Sequence, residues 1–149
     1  MSAVETVLTP VDGSEASADA VGYAIAVADR YGASLHLLHV LDERTARALD
    51  DGDVEAAEVA AEHQSFAADV EERVAAADNI AGFTTSSAAG FSTSSLARTP
   101  GSVVLDAAEA VCADFIVIPR ETPTGAPEET IGKAAFYVVA YASQPVLSV

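Results

Sequence analysis

The sequence predicts an α/β fold, a single open sheet of five parallel strands with helices on both faces. Short apolar runs alternate with segments of helical periodicity in the order β-α-β-α-β-α-β-α-β, which is typical of a parallel sheet with crossover helices. No linker or shift in composition divides the 149 residues, so residues 1–149 are expected to form one domain. Half of the residues are hydrophobic, which is enough for an ordinary core.

An apolar run and a helical repeat predict the first strand and the first helix. Thr6–Val11 is mainly apolar and ends at Asp12, Gly13 and Ser14, a turn that carries helix-capping residues. Apolar residues then recur at three- and four-residue spacing over Glu15–Tyr31, and the glycine that follows is a helix stop.

The next segment completes a β-α-β unit. Residues 34–40 form a second apolar run, and a right-handed crossover should place this strand parallel to the first. An acidic loop is predicted at residues 50–53. A long amphipathic helix follows it to about Asp78, with Phe66 and Val70 on its apolar face.

The middle of the chain contains the least regular pattern. Residues 82–95 are rich in Ser and Thr and are predicted to contain a polar edge strand, the alternative being a flexible loop. Thr99 as N-cap and Pro100 as first helical residue begin a helix that runs to about Cys112. Because Cys112 has no second thiol or Cys/His cluster beside it, we expect a buried structural cysteine.

The last third of the chain predicts two more strands and a helix. Phe115–Ile118 is a continuous apolar run, as expected of a central parallel strand covered on both faces. A polar loop at residues 119–127 leads to a final helix through Ala134 and Val138. Residues 145–149 are the last strand.

The charge balance excludes some classes of partner. Acidic residues outnumber basic ones by 23 to 7, the net charge at pH 7 is −16, and Lys133 is the single lysine. Such a charge repels nucleic acid and destabilises a compact chain in dilute buffer, so adaptation to high salt is predicted, the alternative being an acidic mesophilic protein. No apolar stretch approaches the ~20 residues that cross a bilayer, and no secretion signal is recognisable. We therefore expect a cytoplasmic protein without a membrane or nucleic-acid partner.

Two loops are candidates for ligand binding, because open parallel sheets bind ligands beyond the carboxyl ends of their strands. The first contains Asp12, whose carboxylate can accept hydrogen bonds from a ribose or a base edge. A turn or N-cap role is the alternative for Asp12. The second loop runs from Pro119 through Gly125 to Gly132 and Lys133, and backbone donors at the start of the helix that follows can hold a phosphate.

No catalytic or metal-binding constellation emerges from the sequence. His36 and His39 lie on opposite faces of a strand, so a joint metal site is not expected and hydrogen-bonded structural roles are favoured. His63 likewise has neither a nucleophile motif nor metal-ligand spacing around it. The serines lack the strand-to-helix elbow of hydrolases, so the sequence does not predict an enzyme.

Four segments together resemble the universal stress protein family: VLTPVDGS from residue 7, LLHV from residue 37, ADFIVI from residue 113 and QPVLSV from residue 144. The resemblance spans nearly the whole chain. It implies a Rossmann-like, adenine nucleotide alpha hydrolase-like fold, in which nucleotide-binding members hold ATP or AMP over the ends of the first and fourth strands. By position, Asp12 and Val40 would line an adenosine site, and Gly125, Gly132 and Lys133 are the other candidate ligand-binding residues.

The second loop departs from the family's phosphate-binding motif. That motif has three glycines at fixed spacing, and a Ser or Thr directly follows the third glycine. Pro119 and Thr122 occupy the first two glycine positions, and Gly132 is kept but is followed by Lys133. Proline has no N–H to donate, so at least one phosphate contact is lost. Lys133 either compensates in part or is a solvated lysine that balances nearby glutamates.

The resemblance and this departure predict a regulatory or stress-response module with weak, altered or absent binding of ATP or AMP. One alternative is an ATP- or AMP-binding protein with slow ATP hydrolysis. Another is a dimeric scaffold that acts through a protein partner. A homodimer through the C-terminal strand is expected, because nothing in the sequence covers that strand's apolar edge and the family often pairs its last strands.

Overall fold

The computed structural model describes residues 4–41, 43–89, 99–120 and 130–149. Its strands are β1 (Thr6–Val11), β2 (Ser34–Leu41), β3 (Gly82–Ala89), β4 (Phe115–Ile118) and β5 (Val146–Ser148). Its helices are α1 (Glu15–Tyr31), α2 (Glu43–Asp51), α3 (Ala56–Ala76), α4 (Pro100–Ala110) and α5 (Thr130–Tyr141).

The five strands form one parallel sheet in the order β3-β2-β1-β4-β5. β1 is central, so that Val7 pairs with Leu35 of β2 on one side and with Phe115 of β4 on the other. The predicted open five-stranded parallel sheet is confirmed. Strand order reverses between β1 and β4, which creates the crevice where α/β sheets of this kind bind ligands.

Helices cover both faces of the sheet, as predicted. Alternate residues of β1 point to opposite faces, so Val7 packs in a core with Val70 of α3, together with residues of α1. Leu8, the next residue, packs in a second core with Val104 of α4 and Val138 of α5. The two cores explain why the apolar runs of β1 and β2 are nearly continuous.

Helix caps fix the ends of α1 and α4. The Ser14 hydroxyl accepts a hydrogen bond from the backbone N–H of Ser17, and α1 ends at Tyr31 with Gly32 as its C-cap, at a φ of 67°. Thr99 caps α4 through a reciprocal pair of hydrogen bonds with Ser102. These termini agree with the predicted caps.

The acidic loop predicted at residues 50–53 is wrong for its first half, because Asp50 and Asp51 are the last residues of α2. Good helix formers such as Ala48 and Leu49 outweigh the acidic residues at this helix end. The turn begins only at Gly52, whose φ is 77°. In the Ser/Thr-rich segment, an edge strand is confirmed as β3, and residues 90–98 lie outside the described part of the chain.

The expectation of a buried Cys112 is also wrong. α4 ends at Ala110, and the chain then turns with Cys112 in the left-handed region, at a φ of 54°. The backbone N–H of Cys112 donates to the Glu109 carbonyl at the helix end, and the side chain is exposed. The sequence argument, which rested on the lack of a second thiol, did not show that the helix ends two residues before Cys112 and leaves it in an exposed turn.

Helices of membrane-spanning length and hydrophobicity are absent from the described residues.

Candidate functional site

A cavity of about 190 Å³ lies at the carboxyl ends of β1 and β2, beneath α3. The end of β1 and the turn after it form one wall, and the end of β2 forms a second. α3 provides the third wall through Val59, His63 and Phe66. Asp12 and Val40, which the resemblance placed at an adenosine site, both line this cavity.

Asp12 is held by the turn between β1 and α1. Its carboxylate accepts a hydrogen bond from the backbone N–H of Ser14 at 3.0 Å. Its own N–H donates to the Ser17 hydroxyl at 3.3 Å, and Gly13 between them has a φ of 84°, which favours glycine. The turn role that was the alternative for Asp12 is therefore present, and the same residue also lines the cavity.

Val40 lines the cavity with its backbone, because its side chain lies on the other face of the sheet. Its side chain is 2% exposed and packs in the core under α4 and α5, on the opposite face of the sheet from α3. What Val40 can offer a ligand is therefore its peptide group, at the end of β2. A backbone amide and a neighbouring carboxylate can together bind the edge of a heterocycle and a sugar hydroxyl.

Two histidines form the aromatic wall between β2 and α3. The rings of His39 and His63 are stacked, with centroids 4.3 Å apart and planes 9° from parallel, and Phe66 meets His39 edge-on at 6.1 Å. His39 is 4% exposed, and its Nε2 has no hydrogen-bond partner among the described residues. The expected hydrogen-bonded role is not found at this atom of His39.

Both stacked rings are neutral at neutral pH. Burial, and then the neighbouring His63, lower the pKa of His39 to about 4. Burial also lowers the pKa of His63, although the Glu62 carboxylate opposes that shift. The cavity thus has an uncharged aromatic wall. The charged residues that the structure describes around it, Asp12 and Glu62, are acidic.

His36 fulfils the structural prediction. It lies on the opposite face of β2 from His39, as expected from their odd separation. Nδ1 lies 2.7 Å from the Thr84 hydroxyl and Nε2 lies 2.8 Å from the Ser86 hydroxyl, both on β3. Burial lowers the pKa of His36 as well, so the ring is neutral at neutral pH. Its two hydrogen bonds connect β2 to the edge strand β3. The described residues contain no cluster of three metal-ligating side chains.

The predicted residues of the second loop are not brought to this cavity by the described part of the chain. Gly125 and Thr122 lie outside the described residues. Gly132 and Lys133 fall in the first turn of α5, and their side chains are likewise not described. Pro119 is buried at the end of β4. All described residues that line the cavity lie between positions 11 and 66.

Sequence reasoning missed the contribution of α3. Val59, His63 and Phe66 follow one another at spacings of four and three residues, so they share one face of the helix. That periodicity was available in the sequence for His63, which had been set aside for lack of a catalytic motif. The sequence did not show which element packs against that face of α3, because this depends on how α3 crosses the end of β2.

Comparison with known proteins agrees with this geometry. The profile of the universal stress protein family matches residues 3–149. Universal stress protein UspA from Lactobacillus plantarum has a similar structure, with a TM-score of 0.72 at 24% identity over 100% of this chain and 99% of that one. No curated protein sequence matches the chain significantly.

Two further similar structures contain nucleotides. A universal stress protein in complex with cAMP has a TM-score of 0.68 at 22% identity, covering 99% of this chain and 98% of that one. The universal stress protein from Archaeoglobus fulgidus in complex with dAMP has a TM-score of 0.58 at 19% identity, with the same coverage. At these identities the likeness concerns the fold, whereas the profile covers nearly every residue. The chain therefore belongs to the universal stress protein family.

Proposed function

We propose that this protein is a regulatory, stress-response module whose cavity binds the nucleoside part of an adenine nucleotide. The observation that carries the proposal is that the Asp12 turn and the end of β2 at Val40 line one cavity. This cavity lies beyond the carboxyl ends of the strands, where open parallel α/β sheets bind ligands. Two members with similar structures were solved with cAMP and dAMP, which supports an adenine-containing ligand.

Binding of polyphosphate is proposed to be weak. Pro119 stands where nucleotide-binding members have glycine, and it has no N–H to donate. The described charged residues around the cavity are acidic, which disfavours additional negative charge. Gly125, Gly132 and Lys133 remain candidates for contacts beyond the nucleoside. ATP binding with slow hydrolysis is the competing function, and tight ATP binding would favour it.

Calorimetric titration with adenosine tests the nucleoside site. Asp12→Asn keeps an oxygen that can accept the hydrogen bond from Ser14 but removes the charge, so the turn should persist. We expect adenosine to bind the wild type and to bind this variant about tenfold more weakly, or worse. Asp69→Asn, an equivalent change at an exposed α3 residue outside the cavity, should bind like the wild type. Absence of adenosine binding to the wild type would reject the proposal.

A homodimer through the C-terminal part of the chain is also proposed. β5 is an outer strand of the sheet, and beside it α5 exposes Phe136, Val139 and Tyr141 to the extent of 83%, 54% and 69%. Residues 130–149 contain no Asp or Glu, in a chain with 23 of them. An apolar surface without negative charge is what two strongly acidic chains need in order to associate.

We further propose that the protein is cytoplasmic and adapted to high salt, with residues 1–149 as one domain. The net charge of −16 and the single lysine support the salt adaptation. A scaffold that acts through a protein partner is the alternative if no small ligand binds.

A further inference from the structure

A second cavity, of about 560 Å³, lies between α3 and β3 and adjoins the first. The two share a wall made of His39, Leu41, Val59 and His63. The first cavity, at about 190 Å³, is smaller than most small-molecule sites, which measure roughly 300–1,000 Å³, whereas the second falls within that range. A ligand confined to the first cavity would use only a small part of the available space.

We propose that the two cavities form one binding site, in which the second holds an uncharged, mainly apolar extension of an adenosine-type ligand. This inference rests on the proposed function, because the first cavity must hold the nucleoside. It adds the chemical class of the ligand, which is a nucleoside with an apolar substituent and not a polyphosphate.

The lining of the second cavity supports an apolar group with a few hydrogen-bonding atoms. α3 presents small side chains along one face, including Ala56, Ala60 and Ala67, and these leave the space open. Phe83 of β3 and Leu49 of α2 add larger apolar surface. β3 also contributes the hydroxyl groups of Thr85 and Ser87, which alternate with Thr84 and Ser86 and so share the face of Phe83, and these can bind a carbonyl, ether or hydroxyl oxygen.

The charges around the two cavities argue against an anionic extension. Among the described residues, Glu71 is the charged residue that lines the second cavity, and Asp12 and Glu62 line the first. All three are acidic residues, within a chain whose formal net charge at pH 7 is −16. An uncharged substituent avoids the repulsion that a phosphate or carboxylate would meet there.

The imidazole of His39 indicates that a ligand would make a polar contact where the two cavities meet. Its Nε2 is buried without a hydrogen-bond partner among the described residues, although the ring lines both cavities. Because the atom is buried, a ligand hydroxyl, amine or carbonyl would reach it only after a small shift of the ring, and would then supply the missing hydrogen bond. His63, stacked on His39, lies with Nδ1 3.2 Å from the Ser87 hydroxyl, which connects the shared wall to β3.

Calorimetric titration in molar KCl with three probes tests the joint site. Adenosine is the reference. N6-benzyladenosine and 5′-O-benzyladenosine carry the same apolar group at opposite ends of the nucleoside, so one of them can direct it into the second cavity. We expect at least one benzyl compound to bind the wild type about tenfold more tightly than adenosine.

Two matched variants show whether the second cavity is where the benzyl group increases the affinity. Ala60→Phe fills the second cavity from an exposed helix position, so folding should be preserved, and it should remove the benzyl advantage while changing adenosine affinity less than about twofold. Ala61→Phe makes the same change one residue along α3, outside both cavities, and should behave like the wild type.

The outcomes separate this inference from the proposed function. If adenosine itself fails to bind, the proposed function is overturned and the joint site with it. If adenosine binds but neither benzyl compound binds more tightly, the joint site alone is overturned. A benzyl gain that survives in Ala60→Phe would also overturn it, since the apolar group would then lie elsewhere.

Discussion

The imidazole rings of His39 and His63 lie face to face, 4.3 Å apart, and thereby join the end of β2 to α3. Because burial and the neighbouring ring lower the pKa of His39 to about 4, the folded protein holds this ring neutral. A proton on His39 would place a charge in a buried site beside a second imidazole. The folded state therefore favours the neutral form of His39.

Stability should fall as the pH drops below about 6.5. The unfolded chain takes up a proton on His39 near its usual pKa of 6.5, whereas the folded chain does so only near pH 4, so acid favours unfolding between these values. In His39→Phe this loss should be smaller, by at most about 1 kcal/mol between about pH 7 and pH 5.5. Urea unfolding of both proteins across this range measures it. Identical losses would mean that His39 titrates normally in the folded state.

Close packing of α4 against α5 gives a second prediction. A Cβ added at Gly101 would lie 2.6 Å from Cδ1 and 2.9 Å from Cβ of Tyr137, so the two helices would have to separate. Gly101→Ala should therefore destabilise the protein by about 1–3 kcal/mol. The measurement is the free energy of unfolding in molar salt.

Gly22→Ala is the matched control for this change. Gly22 also lies within a helix, but its added Cβ would meet only the flexible guanidinium of Arg73, at 3.3 Å. Alanine is favoured over glycine in helices, so this variant should be neutral or more stable, by up to about 1 kcal/mol. Equal effects of the two alanines would contradict the packing argument.

Local patterns predicted the elements whose signals are contained within a few neighbouring residues. The apolar run at Phe115–Ile118 predicted a strand whose two faces are both covered by helices, and this strand is β4. Thr99 before Pro100 predicted the start of a helix, and this helix is α4. Asp12, selected from its position after β1, lines the first cavity, and its role in ligand binding stays a prediction. The strand and the cap were predicted because strand formation and capping depend mainly on local chemistry.

Other features depend on contacts between distant parts of the chain. The stack of His39 on His63 requires α3 to cross the end of β2, which no spacing in the sequence specifies. The second cavity depends in the same way on the gap between α3 and β3. Cys112 was misplaced because the lack of a second thiol says nothing of where α4 ends, and Cys112 lies in the exposed, left-handed turn after that helix.

Salt should stabilise the folded state. With a net charge of −16, mutual repulsion destabilises the compact chain most when few counterions screen it. We expect the thermal midpoint to fall steadily as KCl is reduced from molar to tens of millimolar. An unchanged midpoint over this range would reject the proposed adaptation to high salt.

The proposed dimer predicts that changes on α5 alter the mass in solution. Light scattering in molar KCl should give twice the chain mass for the wild type. Replacing Phe136 and Val139 together with serine removes exposed apolar surface without adding charge, and should shift the protein towards the monomer. Tyr31→Ser, a similar change at an exposed residue at the end of α1, should leave the dimer intact. A wild type of monomer mass at micromolar concentration would contradict the proposal.

The proposed departure of the second loop from the family's phosphate-binding motif predicts a gain of ATP affinity when glycines are introduced there. In the proposed alignment Pro119 and Thr122 take the family's first two glycine positions; proline has no backbone N–H to donate, and threonine adopts positive φ far less readily than glycine. The combined variant Pro119→Gly, Thr122→Gly and Lys133→Ser recreates the motif of nucleotide-binding members. Two recovered charge-assisted hydrogen bonds, at ~1.5–3 kcal/mol each, correspond to an affinity gain of roughly two orders of magnitude or more.

Adenosine is the internal control for this last prediction, because it carries no phosphate and its proposed contacts lie at Asp12 and Val40. Its affinity should be nearly equal in the wild type and the combined variant, while that of ATP rises only in the variant. Calorimetric titration of both ligands, in salt that keeps both proteins folded, distinguishes a local gain at the phosphates from a general change in the cavity. Tight ATP binding by the wild type, with no gain in the variant, would show that the present loop already binds phosphate, and nucleotide handling would then become the favoured function.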